Sequence, residues 1–130
     1  PIQWVEDVKE FRRCYGLNTP AETEGEVMTQ LGCVSEEFLE LFREIIKSHY
    51  TPSVKVLDGI CDLLYTTIGL ALALGCDIED AFAEVQRSNM TKLGADGKPI
   101  YREDGKVLKG PNFEPPRLEP YLPKETFGNA

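Results

Sequence analysis

The sequence predicts an all-α protein: a four-helix bundle followed by a short β-hairpin and an extended, proline-rich tail, assembled as an oligomer. Three observations predict it. Apolar residues recur at helical spacing in four successive segments before Leu93. Glycine- or proline-containing breaks separate those segments. After Leu93 two Asp-Gly-Lys units give way to Pro111, Pro115, Pro116, Pro120 and Pro123, which no helix accommodates. Residues 1–93 are read as a helical core. Residues 94–130 are read as hairpin and tail of the same domain, packed on the core or on a neighbouring subunit.

Each element has its own signal. Trp4, Val5, Val8, Phe11, Arg12 and Tyr15 share one helical face, and Gly16 ends that first helix. Trp4 reads as plain core. Residues 17–25 read as a loop. A second helix is expected from Glu26 to Ser48, with Val27, Leu31, Val34, Phe38, Leu41, Phe42 and Ile45 on a drifting 3.6-residue period. Gly32 marks a kink or the start of a shorter helix capped by Ser35. Thr51 followed by Pro52 reads as an N-cap with proline at the first helical position. The third helix then runs to about Leu74. It is apolar nearly all round, which suits a helix central to a bundle or packed on a second subunit. Gly69 and Ala71 permit close approach of a neighbour. Gly75 ends this helix, and Asp77 caps a fourth over Ile78 to Lys92, with Ala81, Phe82, Val85 and Met90 inward. Asp104-Gly105, between Ile100-Tyr101 and Val107-Leu108, is a hairpin signal. The last few residues read as disordered.

A chain of 130 residues is one domain of ordinary globular composition. A formal net charge of -8 excludes a general nucleic-acid-polymer binder, which needs a basic surface. The four cysteines form no CxxC pair, and His49 is alone, so neither zinc nor a Ser-His-Asp triad is supported. The cysteines read as small buried hydrophobes in a reducing compartment. No signal peptide is read, and the run Leu63 to Leu74 is too short to span a bilayer. The expected location is the cytoplasm, the host's if the chain is viral.

The chemistry lies in two acidic clusters. Glu36, Glu37 and Glu40 share one side of the second helix, and Asp58 and Asp62 stack one turn apart on the third. Like charges one turn apart oppose helix formation. Asp62 lies among Ile60, Leu63 and Leu64, where a carboxylate needs a partner. A hard cation, Mg²⁺ or Mn²⁺, would meet that need. Arg87, Lys92, Lys98, Arg102, Lys106 and Lys109 concentrate positive charge later in the chain, with Asn89 among them. They read as an anion site. No glycine-rich phosphate loop follows a strand, which leaves metal-assisted attack of water on phosphorus.

Glu36-Glu37-Phe38-Leu39-Glu40 resembles the EExxE motif of the MazG-like all-α nucleoside triphosphate pyrophosphohydrolases. Residues 62–65, 69–75 and 82–93, with the tail Asp96 to Asn112, are similar to the phage and bacterial branch related to phosphoribosyl-ATP pyrophosphohydrolase. The resemblance implies hydrolysis of a nucleoside triphosphate between the α and β phosphates, with two or three Mg²⁺ or Mn²⁺ ions per site. It implies metal ligation by Glu36, Glu37, Glu40 and Asp62, with Glu36 or Glu37 orienting the attacking water. The family's second motif is usually ExxD, but Gly59 stands three before Asp62, and Asp58 is the expected replacement. Asn89 and Lys92 match sugar- or phosphate-holding positions. Phe11, Arg12, Tyr15 and Asn18 are candidates for the base pocket. The phage branch includes MazZ-type enzymes acting on dGTP, which makes dGTP or GTP the first substrate expected. Homodimers or homotetramers are implied. The alternatives are phosphoribosyl-ATP hydrolysis, a dUTP- or dCTP-selective house-cleaning enzyme, and a non-catalytic nucleotide-binding scaffold.

Overall fold

The computed structural model describes residues 2–125, so the expected disorder of the last residues falls outside the described part of the chain. The described residues form four α-helices, α1 (Gln3–Cys14), α2 (Glu24–Lys47), α3 (Val54–Ala73) and α4 (Ile78–Met90), with a 3-10 turn at Glu119–Tyr121 inside the proline-rich tail. Among the described residues there is no strand. The expected hairpin is reduced to one antiparallel bridge, Tyr101 to Val107, around a turn with Gly105 at φ 88°. Its arms are too short to support a ladder on their own.

Several expected boundaries move for local reasons. The Thr23 hydroxyl accepts the Glu26 amide at 3.2 Å, so α2 starts two residues early. The helix then runs unbroken through Gly32 and Ser35. Ser53, not Thr51, caps α3 by accepting the Val56 amide at 3.1 Å. The Thr51 hydroxyl instead donates to the Ser48 carbonyl. Gly16 and Gly75 take the left-handed backbone that follows α1 and α3.

The described residues form two compact units, 2–78 with 123–125, and 79–122. In the first unit α3 packs along α2 and against α1. Val5 and Val8 of α1, Ile68 and Leu72 of α3, and the partly buried Ile78 form its core. The half-buried positions of α2 include Val27, Gln30, Val34, Glu37, Leu41, Glu44 and Ile45, a stripe at three- and four-residue intervals that the half-buried Ser48 continues just past the helix end. A second stripe, Leu31, Phe38, Phe42 and Ile46, is exposed, although the first three share the drifting apolar period of the helix. Trp4 is likewise exposed rather than core. None of the cysteines is fully buried, and all four are free. The whole of α3, at mean hydropathy 1.5, is long and apolar enough to cross a membrane by length and composition. The shorter run weighed above understated it. Here α3 is the helix against which α1 and α2 pack, and it carries Lys55, Asp58 and Asp62.

In the second unit the buried residue of α4 is Ser88, whose hydroxyl donates to the Glu114 carbonyl at 2.7 Å. Phe82 and Met90, expected inward, are exposed. A small residue is what this face needs, because the extended tail runs across it. Arg87 adds ion pairs to Glu84 at 2.6 Å and to Glu114 at 3.1 Å. The Arg87 guanidinium and then the Arg117 amide hold the Glu84 carboxyl down at about 2.

Between α2 and α3, His49 and Tyr50 both have positive φ, 56° and 62°. Side chains with a Cβ are strained there. Replacing the exposed Tyr50 by glycine should raise stability by about 1 kcal/mol, read as a higher denaturant midpoint.

Candidate functional site

The α2 stripe meets α3 at fixed points. A Cβ added to Gly59 would lie 3.2 Å from Leu41 Cδ1 and 3.5 Å from Leu41 Cβ. Farther along, the Gln30 amide nitrogen donates to the Thr66 carbonyl at 3.0 Å. As α2 ascends from 30 to 41, its partners on α3 descend from 66 to 59, so the helices run antiparallel. Glu37 lies between these contact points.

Glu37 is half-buried, and its Oε2 is fully enclosed with no hydrogen-bond partner among the described residues. Burial pushes its carboxyl above the usual glutamate range. The charges of Asp62, Glu40, Glu36 and Asp58, in that order, push it the same way. All five sequence-predicted carboxylates therefore share one electrostatic neighbourhood. They are not equivalent: Glu36, Glu40 and Asp58 are exposed, and Asp62 is half-buried. Among the described residues, no three His, Cys, Asp or Glu side chains stand close enough together to hold an ion as they are. The chemistry of the set nonetheless fits a hard divalent cation, with oxygen donors from two facing helices and one enclosed oxygen lacking a partner.

Packing also explains the residue three before Asp62. Gly59 is buried where α3 touches Leu41, so a longer side chain there would have to displace Leu41. Asp58 is exposed and adds to the field on Glu37.

The base-pocket candidates separate. Phe11 lies against Tyr15 with the two rings tilted and their centroids 4.5 Å apart, and meets Tyr65 edge-on at 5.4 Å. Phe11 and Tyr65 line a cavity of about 190 Å³ with Val8, Leu17 and Cys33. Tyr65 is not among the base-pocket candidates, because in the sequence it reads as part of the α3 stretch that follows Asp62. Arg12 is buried and already engaged. It donates to Thr19 Oγ1 at 2.7 Å, Gln30 Oε1 at 2.9 Å and the Asn18 carbonyl at 2.8 Å. The Asn18 amide donates to Glu26 at 2.9 Å. Arg12 and Asn18 thus tie the loop after α1 to the helices.

In the second unit, Asn89 and Lys92 line a cavity of about 370 Å³ with Met90, Leu93, Pro99 and Val107. Lys98 and Lys106 are exposed. Three other candidate cations have partners already: Arg87 as described, Arg102 with Asp104, and Lys109 over the Phe113 ring at 4.8 Å.

A family model for phosphoribosyl-ATP pyrophosphohydrolase matches residues 8–89, well over half of the chain. The chain belongs to this family. No curated protein matches the sequence. As a member of the phosphoribosyl-ATP pyrophosphohydrolase family, within the MazG-like all-α superfamily, the chain is a nucleotide pyrophosphohydrolase, a hydrolase acting on acid anhydrides. The match takes in all five carboxylates and ends at Asn89, leaving Lys92 and the later cations beyond it.

A carboxyl whose pKa is raised on folding stabilises the fold below its unfolded pKa and loses that contribution as pH rises through the folded value. Metal-free protein should therefore gain stability as pH falls from neutral toward 4.5, the ordinary glutamate value. Glu37→Gln should raise the neutral-pH unfolding midpoint and flatten that gain, read by thermal melts in chelator.

Proposed function

We propose that the chain is a Mg²⁺- or Mn²⁺-dependent nucleoside triphosphate pyrophosphohydrolase, converting (d)NTP and water to (d)NMP and pyrophosphate, with dGTP or GTP as first substrate. The observation that carries this reading is the enclosed, unpartnered oxygen of Glu37, set among four further carboxylates on α2 and α3. A divalent cation, when bound, supplies positive charge that offsets both these carboxylates and the phosphate oxygens. Glu36, Glu37, Glu40, Asp58 and Asp62 are the residues that would hold two or three such ions. Glu36 or Glu37 accepts the proton of the attacking water. The water oxygen bonds to phosphorus, the bond to the bridging oxygen breaks, and pyrophosphate leaves. Asn89 and Lys92 hold sugar or phosphate, aided by Lys98 and Lys106. Arg87, Arg102 and Lys109 would first exchange their present partners. Phe11 and Tyr15 offer aromatic faces to a base, and the guanine preference rests on the resemblance to MazZ-type enzymes.

The chain works as a homodimer or homotetramer in this reading. The support is the exposed apolar stripe on α2 together with Val54, Leu57 and Ile60 on α3, which are 85%, 63% and 47% exposed. Four free cysteines suit the cytoplasm. A second reading, hydrolysis of phosphoribosyl-ATP, is favoured by the family model itself, since that is the substrate in its name.

Pyrophosphate release from a (d)NTP panel and from phosphoribosyl-ATP, with Mn²⁺, separates the two. Release from dGTP and other nucleotides, with none from phosphoribosyl-ATP, supports the first reading. The reverse supports the second, and no release from any substrate overturns both. Glu40→Gln should lower kcat by about a hundredfold or more, as loss of several kcal/mol of charge stabilisation requires. Lys92→Ala should raise KM with little change in kcat, and an unchanged KM would remove Lys92 from the phosphate site.

A further inference from the structure

Gln30 is a polar residue on the stripe by which α2 meets α3, seven positions before Glu37. Both ends of its amide are engaged. Nε2 donates to the Thr66 carbonyl of α3 at 3.0 Å, and Oε1 accepts from Arg12 Nη1 of α1 at 2.9 Å. The side chain occupies a notch at Gly69, where an added Cβ would lie 2.6 Å from Gln30 Nε2. Thr66 follows Asp62 by one turn, and its hydroxyl donates to the Asp62 carbonyl at 2.9 Å. One residue of α2 thus grips all three helices, about 10 Å along the axis from Glu37 at 1.5 Å per residue.

We propose that Gln30 is a positioning residue for the acidic site. Seated against Gly69, it fixes the register in which Glu37 of α2 faces Asp62 of α3, and so the spacing of the two carboxylate groups. The inference rests on the divalent-cation reading given above. Gly59 against Leu41 fixes the other side of the same register by close contact. At the Gln30 end the fixing is by directed hydrogen bonds, which a mere filler of the notch cannot replace.

The test is Mn²⁺ affinity by titration calorimetry, with unfolding midpoints measured separately in chelator. Gln30→Ala, Gln30→Met and Gly69→Ala should each weaken Mn²⁺ binding about tenfold, the usual scale for groups that orient ligands. Gln30→Met fills the notch without hydrogen bonds and guards against simple collapse of Gln30→Ala. The double variant Gly69→Ala with Gln30→Ala should bind Mn²⁺ as Gln30→Ala alone does, because no side chain is left for the new methyl to displace. Wild-type affinity in Gln30→Met and Gly69→Ala, with only their midpoints lowered, would overturn the proposal and leave the cation reading standing. Absence of Mn²⁺ binding in the unsubstituted protein would overturn the cation reading, and the positioning role with it.

Discussion

Glu37 brings a carboxylate into the line along which two helices touch. Around it Val27, Val34, Leu41 and Ile45 contribute apolar surface, and that attraction holds α2 on α3. The polar members of the stripe are otherwise provided for. Gln30 has Arg12 and Thr66, Glu44 has Lys47 at 3.5 Å, and Ser48 donates to the Ile45 carbonyl. Glu37 instead has four acidic neighbours and an enclosed oxygen with nothing to accept from among the described residues. Buried negative charge without a counter-charge opposes folding. The structure tolerates it because the side chain is only half-buried and its carboxyl is more easily protonated than usual.

The partner helix is adapted to that stripe by what it omits. Position 59 has no side chain because Leu41 occupies the space, and position 69 has none because Gln30 does. These absences let a polar side chain and a leucine approach α3 closely on either side of the acids. Arg12 extends the arrangement to the loop after α1, binding Asn18 and Thr19 while Asn18 reaches Glu26. Burial lowers the Arg12 pKa, and the charge of Glu26 opposes that effect. A cation buried this way serves the fold, so it is a poor candidate for reading a base edge.

Much of this was legible in the residues. Helical periodicity located all four helices, and the i, i+4 carboxylates identified the acidic faces that the structure brings into one neighbourhood. The ends of helices were less legible, because Thr23 and Ser53 cap where Glu26 and Thr51 were expected to mark the start. Which apolar residues face inward could not be read either. Leu31 and Phe38 fit the same period as Val27 and Val34, and only the path of α3 separates them. The pairing of Arg87 with Glu114 was invisible because it spans 27 residues of chain. Gln30 carried a signal that spacing could have exposed, being one heptad before Glu37 on the same face.

That heptad has a consequence for how such a chain can vary. Gln30, Glu37 and Glu44 recur every seven residues on one side of α2. Adding or removing a single amino acid between the first two would rotate everything beyond it by about 100° about the helix axis. Glu37 would swing away from Asp62 while Gln30 stayed in its notch. Between residues 30 and 37 the exposed positions are open to substitution but length is not: an insertion or deletion there would disconnect the acids from their anchor while the helix itself persisted.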